Sequence, residues 1–213
     1  MPDLSRRDAL RTGTAALAGL ATAAVPAAAA TPDGSLAPTS RRFADRVVLV
    51  TGATSGIGRT TAHAFAREGA AVVFNGRRAA LGAEVQAEIN ADPAVLAAGG
   101  QALYVESDVR REPDVERFVQ TALDRFGAVH VAFNNAGVVF GLGDLTGNGP
   151  LADIDTAAFD DVWATNTRGV FLSMKHEVPA LLANEPWGRF GLRGVIVNNA
   201  SVSSYGGFPG ITP

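Results

Sequence analysis

The sequence contains no cysteine and only three histidines, and both shortages limit the chemistry that the chain can perform. Without cysteine there is no disulfide framework, no thiolate nucleophile and no cysteine-ligated zinc. The three histidines, His63, His130 and His176, are scattered along the chain and lack the short spacing that is typical of metal ligands. The sequence therefore predicts no metal site.

Charged residues and long apolar runs are also scarce. Charged residues make up 18% of the 213 positions, the net charge is -3, and no dense run of Lys and Arg is present. The chain thus lacks the concentrated positive charge that binding to nucleic acid requires. With 47% hydrophobic residues it can bury one substantial core, which predicts a single globular domain with a tail.

The tail comprises the first 30 residues, whose composition differs from that of the rest. Ser5-Arg6-Arg7 precedes an alanine-rich apolar stretch, and small residues follow Pro26. A charged head, an apolar middle and a small-residue end resemble a twin-arginine export signal, although Asp8 and Ala9 depart from the usual motif. The alternative is a plain alanine-rich extension. The apolar stretch is shorter than the ~20 residues that cross a bilayer, so no stable membrane span is expected.

These features predict three segments. We expect residues 1–30 to be a removable signal, residues 31–42 to be a linker, and residues 43–213 to form the folded domain. The protein would be exported to the periplasm if the signal functions, and would otherwise be cytoplasmic.

Short apolar runs alternate with longer helical segments from residue 46 onward. Apolar residues three and four apart predict one helix between Pro113 and Gly127 and another from about Thr156 to Leu182. The short runs are typical of strands buried on both faces, and they cover residues 46–51, 71–75, 102–105, 129–133 and 195–198. The alternation predicts an α/β fold with a doubly wound parallel sheet of the Rossmann type.

A glycine-rich turn joins the first predicted strand to a helix that continues through Glu68. Glycine lets the backbone approach a ligand closely, and the free N–H groups at a helix N-terminus attract a pyrophosphate. A P-loop is excluded because no Gly-Lys-Ser/Thr follows. The candidate binding residues of this turn are Thr51, Gly52, Ser55, Gly56, Ile57 and Gly58.

The TGxxxGxG spacing of this turn, with Asn134-Asn135-Ala136-Gly137 after the fourth strand, resembles the short-chain dehydrogenase/reductase family from about Arg46 onward. The resemblance implies an oxidoreductase that moves a hydride between a nicotinamide cofactor and a small-molecule alcohol or ketone. It also implies homo-oligomers among full-length relatives. The cofactor-binding residues that it implies here are Asp108, Val109, Asn135, Ala136 and Gly137, with a helix N-cap or a turn residue as the alternative role for Asp108.

The end of the second predicted strand indicates which cofactor is bound. An acidic residue there would bind the ribose hydroxyls, but the segment reads Asn75-Gly76-Arg77-Arg78. Arg77 can donate several hydrogen bonds to a 2′-phosphate, which favours NADP(H), with NAD(H) as the second possibility. The alternative is that both arginines are solvated residues at the start of the next helix.

The resemblance further implies that Asn166 and Ser201 are catalytic, with Ser203 and Ser204 as alternatives to Ser201. Asparagine is disfavoured inside a helix unless its side chain has a partner, so its position in the predicted long helix supports a role. A surface or capping role is the alternative for Asn166.

The family's Tyr-x-x-x-Lys pair does not occur in the sequence. Tyr205 follows Ser201 too soon, and Pro209 stands where the lysine would lie. We therefore expect a C-terminally incomplete domain with an exposed fifth strand, and a chain that is inactive alone. A non-catalytic, nucleotide-sensing protein is the other possibility, although a sensor would have no need of Asn166 and Ser201.

Overall fold

The computed structural model of the protein describes residues 41–138, 152 and 155–201. The predicted export signal and most of the predicted linker lie outside the described residues. So do Ser203, Ser204 and Tyr205.

A single parallel sheet of five strands forms the centre of the described fold. The strands are β1 (Val47–Val50), β2 (Ala71–Gly76), β3 (Gln101–Glu106), β4 (Val131–Asn134) and β5 (Val195–Asn198). They lie in the order β3-β2-β1-β4-β5. Val48 of β1 pairs with Val72 of β2 on one side and with Val131 of β4 on the other. All five predicted strands are confirmed, with ends shifted by no more than two residues.

The fourth strand begins two residues later than predicted because the side chain of His130 takes part in the pairing. Its Nδ1 accepts the N–H of Val47 at 3.0 Å, where a longer strand would supply a backbone carbonyl. Burial, together with the nearby charge of Arg46, lowers the pKa of His130. A low pKa suits an imidazole whose ring nitrogen accepts a hydrogen bond.

Helices connect the strands. The three predicted helices are confirmed: the one after the glycine turn, the one between Pro113 and Gly127, and the long one from Thr156. Pro113 lies in the first turn of the helix that Gly127 ends with φ of 78°. The predicted long helix runs from Thr156 to Leu182 but contains one π-helical segment, Ala164–Arg168. The helices are α1 (Gly56–Arg67), α2 (Ala79–Ala91), α3 (Pro93–Ala98), α4 (Glu112–Phe126), α5 (Thr156–Trp163) and α6 (Gly169–Leu182).

Helices α2 and α3 are not predicted by the apolar pattern. Their many alanines lie on several sides, so no single apolar stripe stands out. The end signals of α3 are nevertheless present, because the Asp92 carboxylate caps its first turn by accepting the N–H of Ala94 at 2.8 Å, and Gly99 ends it with φ of 75°.

The strands bury opposite faces against two layers of helices. Val48 and Val50 pack among buried residues of α1, α2 and α3, whereas Val47 and Leu49 pack among buried residues of α4 and α6. This alternation confirms the doubly wound α/β fold. At one edge of the described sheet, Val197 of β5 is 47% exposed. None of the helices in the described parts of the chain combines the length and apolar character needed to span a membrane.

Candidate functional site

A cavity of about 1150 Å³ lies at the carboxyl ends of the strands. It extends across the ends of the neighbouring strands β1 and β4, where the strand order reverses. Proteins with open α/β sheets bind their ligands at this point. Every sequence-predicted site residue except Thr51 and Gly58 lines it: Gly52, Ser55, Gly56, Ile57, Arg77, Asp108, Val109, Asn135, Ala136, Gly137, Asn166 and Ser201.

Thr51 lies beneath the cavity and joins two strand ends. Its side chain is buried, and its hydroxyl oxygen accepts the N–H groups of Asn135 at 2.9 Å and Ala136 at 3.0 Å. The amide of Asn135 in turn donates to the carbonyl of Thr51 at 3.2 Å. These bonds hold the residues after β4 against the start of the glycine turn, so Thr51 acts by positioning other residues.

Two glycines of the turn are needed because neighbouring atoms are very close. A Cβ on Gly52 would lie 2.6 Å from the Cα of Ala136, and Gly52 also has a φ of +68°. A Cβ on Gly58 would lie 2.6 Å from Nδ2 of Asn135. Glycine therefore lets the turn pack directly on the segment after β4. Ile57, by contrast, is 63% exposed at the cavity, where it offers an apolar surface.

The glycine turn is held from its other side by Asn75, a buried residue near the end of β2 that the sequence analysis did not single out. Its Oδ1 accepts the N–H of Gly52 at 3.0 Å, and its carbonyl accepts the N–H of Ala53 at 2.9 Å. Its Nδ2 donates to the hydroxyl of Ser107 at 3.3 Å. The sequence did contain a signal for this role, because Asn75 is a polar residue in an otherwise apolar strand.

The arginine pair after β2 supplies positive charge to the cavity. Arg77 and Arg78 both line it, but Arg78 makes the contact with the glycine turn. Its Nη2 donates to Oγ1 of Thr54 at 2.8 Å and to Oγ of Ser55 at 2.7 Å. The sequence favours Arg77 as the phosphate ligand, and Arg78 is the arginine that is bonded to the glycine turn.

Asp108, which follows β3, is fixed by Arg110. Both carboxylate oxygens accept hydrogen bonds from Nε of Arg110 at 3.0 Å, and Nη2 adds a bond of 2.5 Å. Burial opposes ionisation of Asp108, but the bonds and charge of Arg110 outweigh it and lower the pKa of the carboxyl. Arg110 also pairs with Asp161 of α5, so it ties the cavity wall to that helix.

Asn166 lies in the π-helical segment, a distortion that is common at functional sites. Its side chain makes a reciprocal pair with one residue: Oδ1 accepts the N–H of Val138 at 2.8 Å, and Nδ2 donates to the carbonyl of Val138 at 2.8 Å. These bonds explain why asparagine is accommodated inside the helix. They also fix the backbone just beyond Asn135-Ala136-Gly137.

Ser201 follows β5 and lies at the far side of the cavity from the arginines, as the strand order requires. The segment before it is attached to β4, because the N–H of Asn199 donates to the carbonyl of Asn134 at 2.8 Å and its Nδ2 donates to Oδ1 of Asn135 at 3.0 Å. Within the described residues, no group of three acidic or histidine side chains could hold a metal ion.

The cavity thus offers three kinds of chemistry along one sheet edge. Backbone N–H groups at the start of α1 can receive a diphosphate. Cationic side chains after β2 can receive a further anion. Amide and hydroxyl groups of Asn166 and Ser201 can contact a polar reacting centre.

This fold and this cavity define the class of the protein: a doubly wound α/β protein with a binding crevice at the reversal of strand order. The family model for short chain dehydrogenases matches residues 46–213. The chain therefore belongs to the short-chain dehydrogenase/reductase family, as the sequence motifs predicted.

Individual relatives agree with this assignment. The chain is 38% identical over 169 residues to the A-factor type gamma-butyrolactone 1′-reductase (1S-forming) of Streptomyces virginiae. The aligned region covers 79% of this chain and 59% of that protein. It is 35% identical over 173 residues to the cyclohexanol dehydrogenase of Acinetobacter sp. strain SE19, covering 81% of this chain and 61% of that protein. The chain thus spans about three fifths of the length of these relatives.

Among solved structures, a short-chain type dehydrogenase/reductase from Mycobacterium ulcerans is similar to this chain. The TM-score is 0.64 and the sequence identity is 26%, over 76% of this chain and 53% of that one. This similarity of fold agrees with the family assignment.

Proposed function

We propose that the protein is an oxidoreductase that transfers a hydride between NADP(H) and a small alcohol or ketone. The main support is that one cavity gathers the glycine turn, the arginine pair, Asn166 and Ser201. Two relatives named above, a reductase and a dehydrogenase, are by their names oxidoreductases, which supports this proposal.

The cofactor would lie along the carboxyl edge of the sheet. Its pyrophosphate would rest on the backbone N–H groups of the Thr51–Gly58 turn, and its adenine amino group would face Asp108. The carboxylate of Asp108 is already held by Arg110, so the adenine would meet an acceptor of fixed orientation. Asn135, Ala136 and Gly137 would line the ribose.

The choice of NADP(H) rests on Arg77 and Arg78. Both face the cavity just after β2, where the 2′-phosphate of the adenosine ribose would lie. Arg78 holds the hydroxyls of Thr54 and Ser55 next to its own guanidinium. A phosphate there would receive charge-assisted bonds from arginine together with bonds from hydroxyl groups.

At the other end of the cavity, the hydroxyl of Ser201 would donate to the substrate oxygen, and Asn166 would support the adjoining backbone. Reduction of a ketone adds a hydride to carbon and a proton to oxygen, so a proton donor is also required. The sequence contains no Tyr-x-x-x-Lys to supply that proton. We expect a polypeptide of these 213 residues to bind the cofactor without measurable turnover.

Fluorescence titration of the folded polypeptide with NADPH and NADH tests the proposal. We expect NADPH to bind with the lower dissociation constant, and no oxidation of NADPH when simple cyclic and open-chain ketones are added. Folded protein that binds neither dinucleotide would refute the proposed site. Tighter binding of NADH would refute the choice of cofactor, and ketone-dependent oxidation of NADPH would refute the expected inactivity.

A further inference from the structure

A carboxyl group lies in the interior beneath the proposed site. Glu177 of α6 is 0% exposed, and its Oε2 accepts a hydrogen bond from Nδ2 of Asn134 at 3.0 Å. Asn134 is the last residue of β4 and is also buried. Buried carboxylates are normally paired with a cation, because an isolated buried charge loses its hydration without compensation.

Each member of this pair has one unsatisfied atom. Among the described residues, the buried side-chain oxygens that lack a hydrogen-bond partner are Oε1 of Glu177 and Oδ1 of Asn134. Both are acceptors if Glu177 is ionised, so neither can satisfy the other. A proton on Oε1 would change this, because the acid O–H could donate to Oδ1 of Asn134 while Nδ2 of Asn134 continues to donate to Oε2.

We propose that Glu177 is held as a neutral carboxylic acid in a cyclic hydrogen-bonded pair with Asn134, and that this pair positions the carboxyl ends of β4 and β5 at the cavity. Glu177 is thus a positioning residue. One proton satisfies both of the unpaired oxygens at once, which an ionised carboxylate cannot do.

The surroundings of Glu177 favour the neutral form. Burial raises the pKa of Glu177 to about 7, opposed only by the hydrogen bond from Asn134. On α4, which packs against α6, Glu112 is bonded to Lys175 at 2.5 Å and to His176 at 3.3 Å. The charges of Glu112 and Lys175 are paired with each other. The groups that β4 and β5 present to this network, Asn134 and Asn198, are uncharged.

The pair reaches the cavity through Asn134. Nδ2 of Asn134 also donates to Oδ1 of Asn198 at 3.0 Å, which links the last residues of β4 and β5. The next residue, Asn199, donates its N–H to the carbonyl of Asn134 at 2.8 Å. The bond to Asn198 fixes the orientation of the Asn134 amide, because a reversed amide would set its oxygen against Oδ1 of Asn198. The segment that leads to Ser201 is thereby held against β4.

The test compares the whole 213-residue wild-type chain with Glu177→Gln and Glu177→Leu, without cofactor. A glutamine amide can make the same two bonds with Asn134 at every pH, whereas leucine can make neither. The infrared spectrum of wild type at pH below 7 should contain the carbonyl band of a buried, protonated carboxylic acid. That band should be missing from Glu177→Gln.

The pH dependence of stability provides a second readout. A folded-state pKa of about 7, raised above 4.5, means that the contribution of Glu177 is fully present below about pH 4.5. It is lost as the pH rises through 7. The denaturant midpoint of wild type should therefore fall relative to that of Glu177→Gln across this interval. In Glu177→Leu, the Asn199 amide should exchange at least tenfold faster than in Glu177→Gln.

Three results would overturn the proposal: no acid carbonyl band that depends on Glu177, a midpoint difference that does not change with pH, or equal Asn199 exchange in the two variants. If Glu177→Leu does not fold, the first two measurements still decide, because they use only wild type and Glu177→Gln. All of these readouts are independent of NADP(H), so the inference can fail while the proposed function stands, and the reverse.

Discussion

Arg78 donates a hydrogen bond from Nη2 to the hydroxyl oxygen of Ser55 at 2.7 Å, which joins the end of β2 to the glycine turn. The bond brings a cation to the place where the turn leads into α1. An anion bound there could use the guanidinium, the hydroxyl and the helix N-terminus together. The choice between the two nicotinamide cofactors is therefore expected to depend on Arg78 as well as on Arg77.

Replacement of Arg78 by alanine should weaken NADPH binding much more than NADH binding. A charge-assisted hydrogen bond to phosphate contributes about 1.5–3 kcal/mol, which corresponds to roughly 10-fold to 100-fold in the dissociation constant. Arg77→Ala should act in the same direction. Arg59→Ala is the matched control, since Arg59 is an arginine of α1 that pairs with Glu88 and does not line the cavity. Equal losses for both cofactors would contradict this prediction.

Local patterns in the sequence were sufficient to predict the sheet and the phosphate turn. Runs such as 71–75 are apolar because both faces of the sheet are covered, and the glycines at 52, 56 and 58 follow directly after a strand. What sequence could not decide was the choice between adjacent residues of one type. Arg77 and Arg78 have the same side chain, so the sequence does not distinguish them. The fold shows that Arg78 is the one that reaches Ser55.

The second limit of prediction from the sequence was contacts between segments that are distant along the chain. The roles of Asn75 and Glu177 depend on partners 23 and 43 residues away, Gly52 and Asn134. A buried glutamate in a helix looks in the sequence like an ordinary surface residue. The π-helical segment could not be predicted from the sequence either. One extra residue in a helical turn leaves the spacing of apolar residues before and after it nearly unchanged.

Removal of the Arg110 cation should change how Asp108 titrates. Without the cation, burial would be opposed less strongly, and the pKa of Asp108 would rise above its wild-type value, which lies below 3.8. A lowered folded-state pKa stabilises the fold above pH 3.8, and this contribution is lost as the pH falls through the folded value. Wild type should therefore exceed Arg110→Met in stability most clearly near neutral pH, with the gap closing on acidification. NMR titration of the Asp108 carboxyl would measure the pKa in each protein, and an unchanged value would contradict the prediction.

Alanine at Gly52 should cost more stability than alanine at Gly56. Both glycines have a positive φ, which costs an L-residue roughly 1–2 kcal/mol. At Gly56 the added Cβ would meet no atom within 4 Å apart from its chain neighbours and its own helix backbone, so only this cost applies. At Gly52 the Cβ would lie 2.6 Å from the Cα of Ala136, and the backbone would have to move. Urea unfolding of the two variants provides the comparison, and similar losses would show that the contact with Ala136 relaxes freely.

The pairing of Asn166 with Val138 predicts a residue-specific change in amide exchange. In wild type the N–H of Val138 is protected because it donates to Oδ1 of Asn166 at 2.8 Å. Asn166→Ala removes that acceptor and should accelerate exchange at Val138 by about tenfold, given a net hydrogen-bond contribution near 1.4 kcal/mol. Asn166→Asp keeps an acceptor oxygen and loses only the donor to the Val138 carbonyl, so protection of this amide should persist. If the amide exchanges equally fast in wild type and Asn166→Ala, the backbone after Gly137 is held by other contacts, and the role of Asn166 in fixing it is wrong.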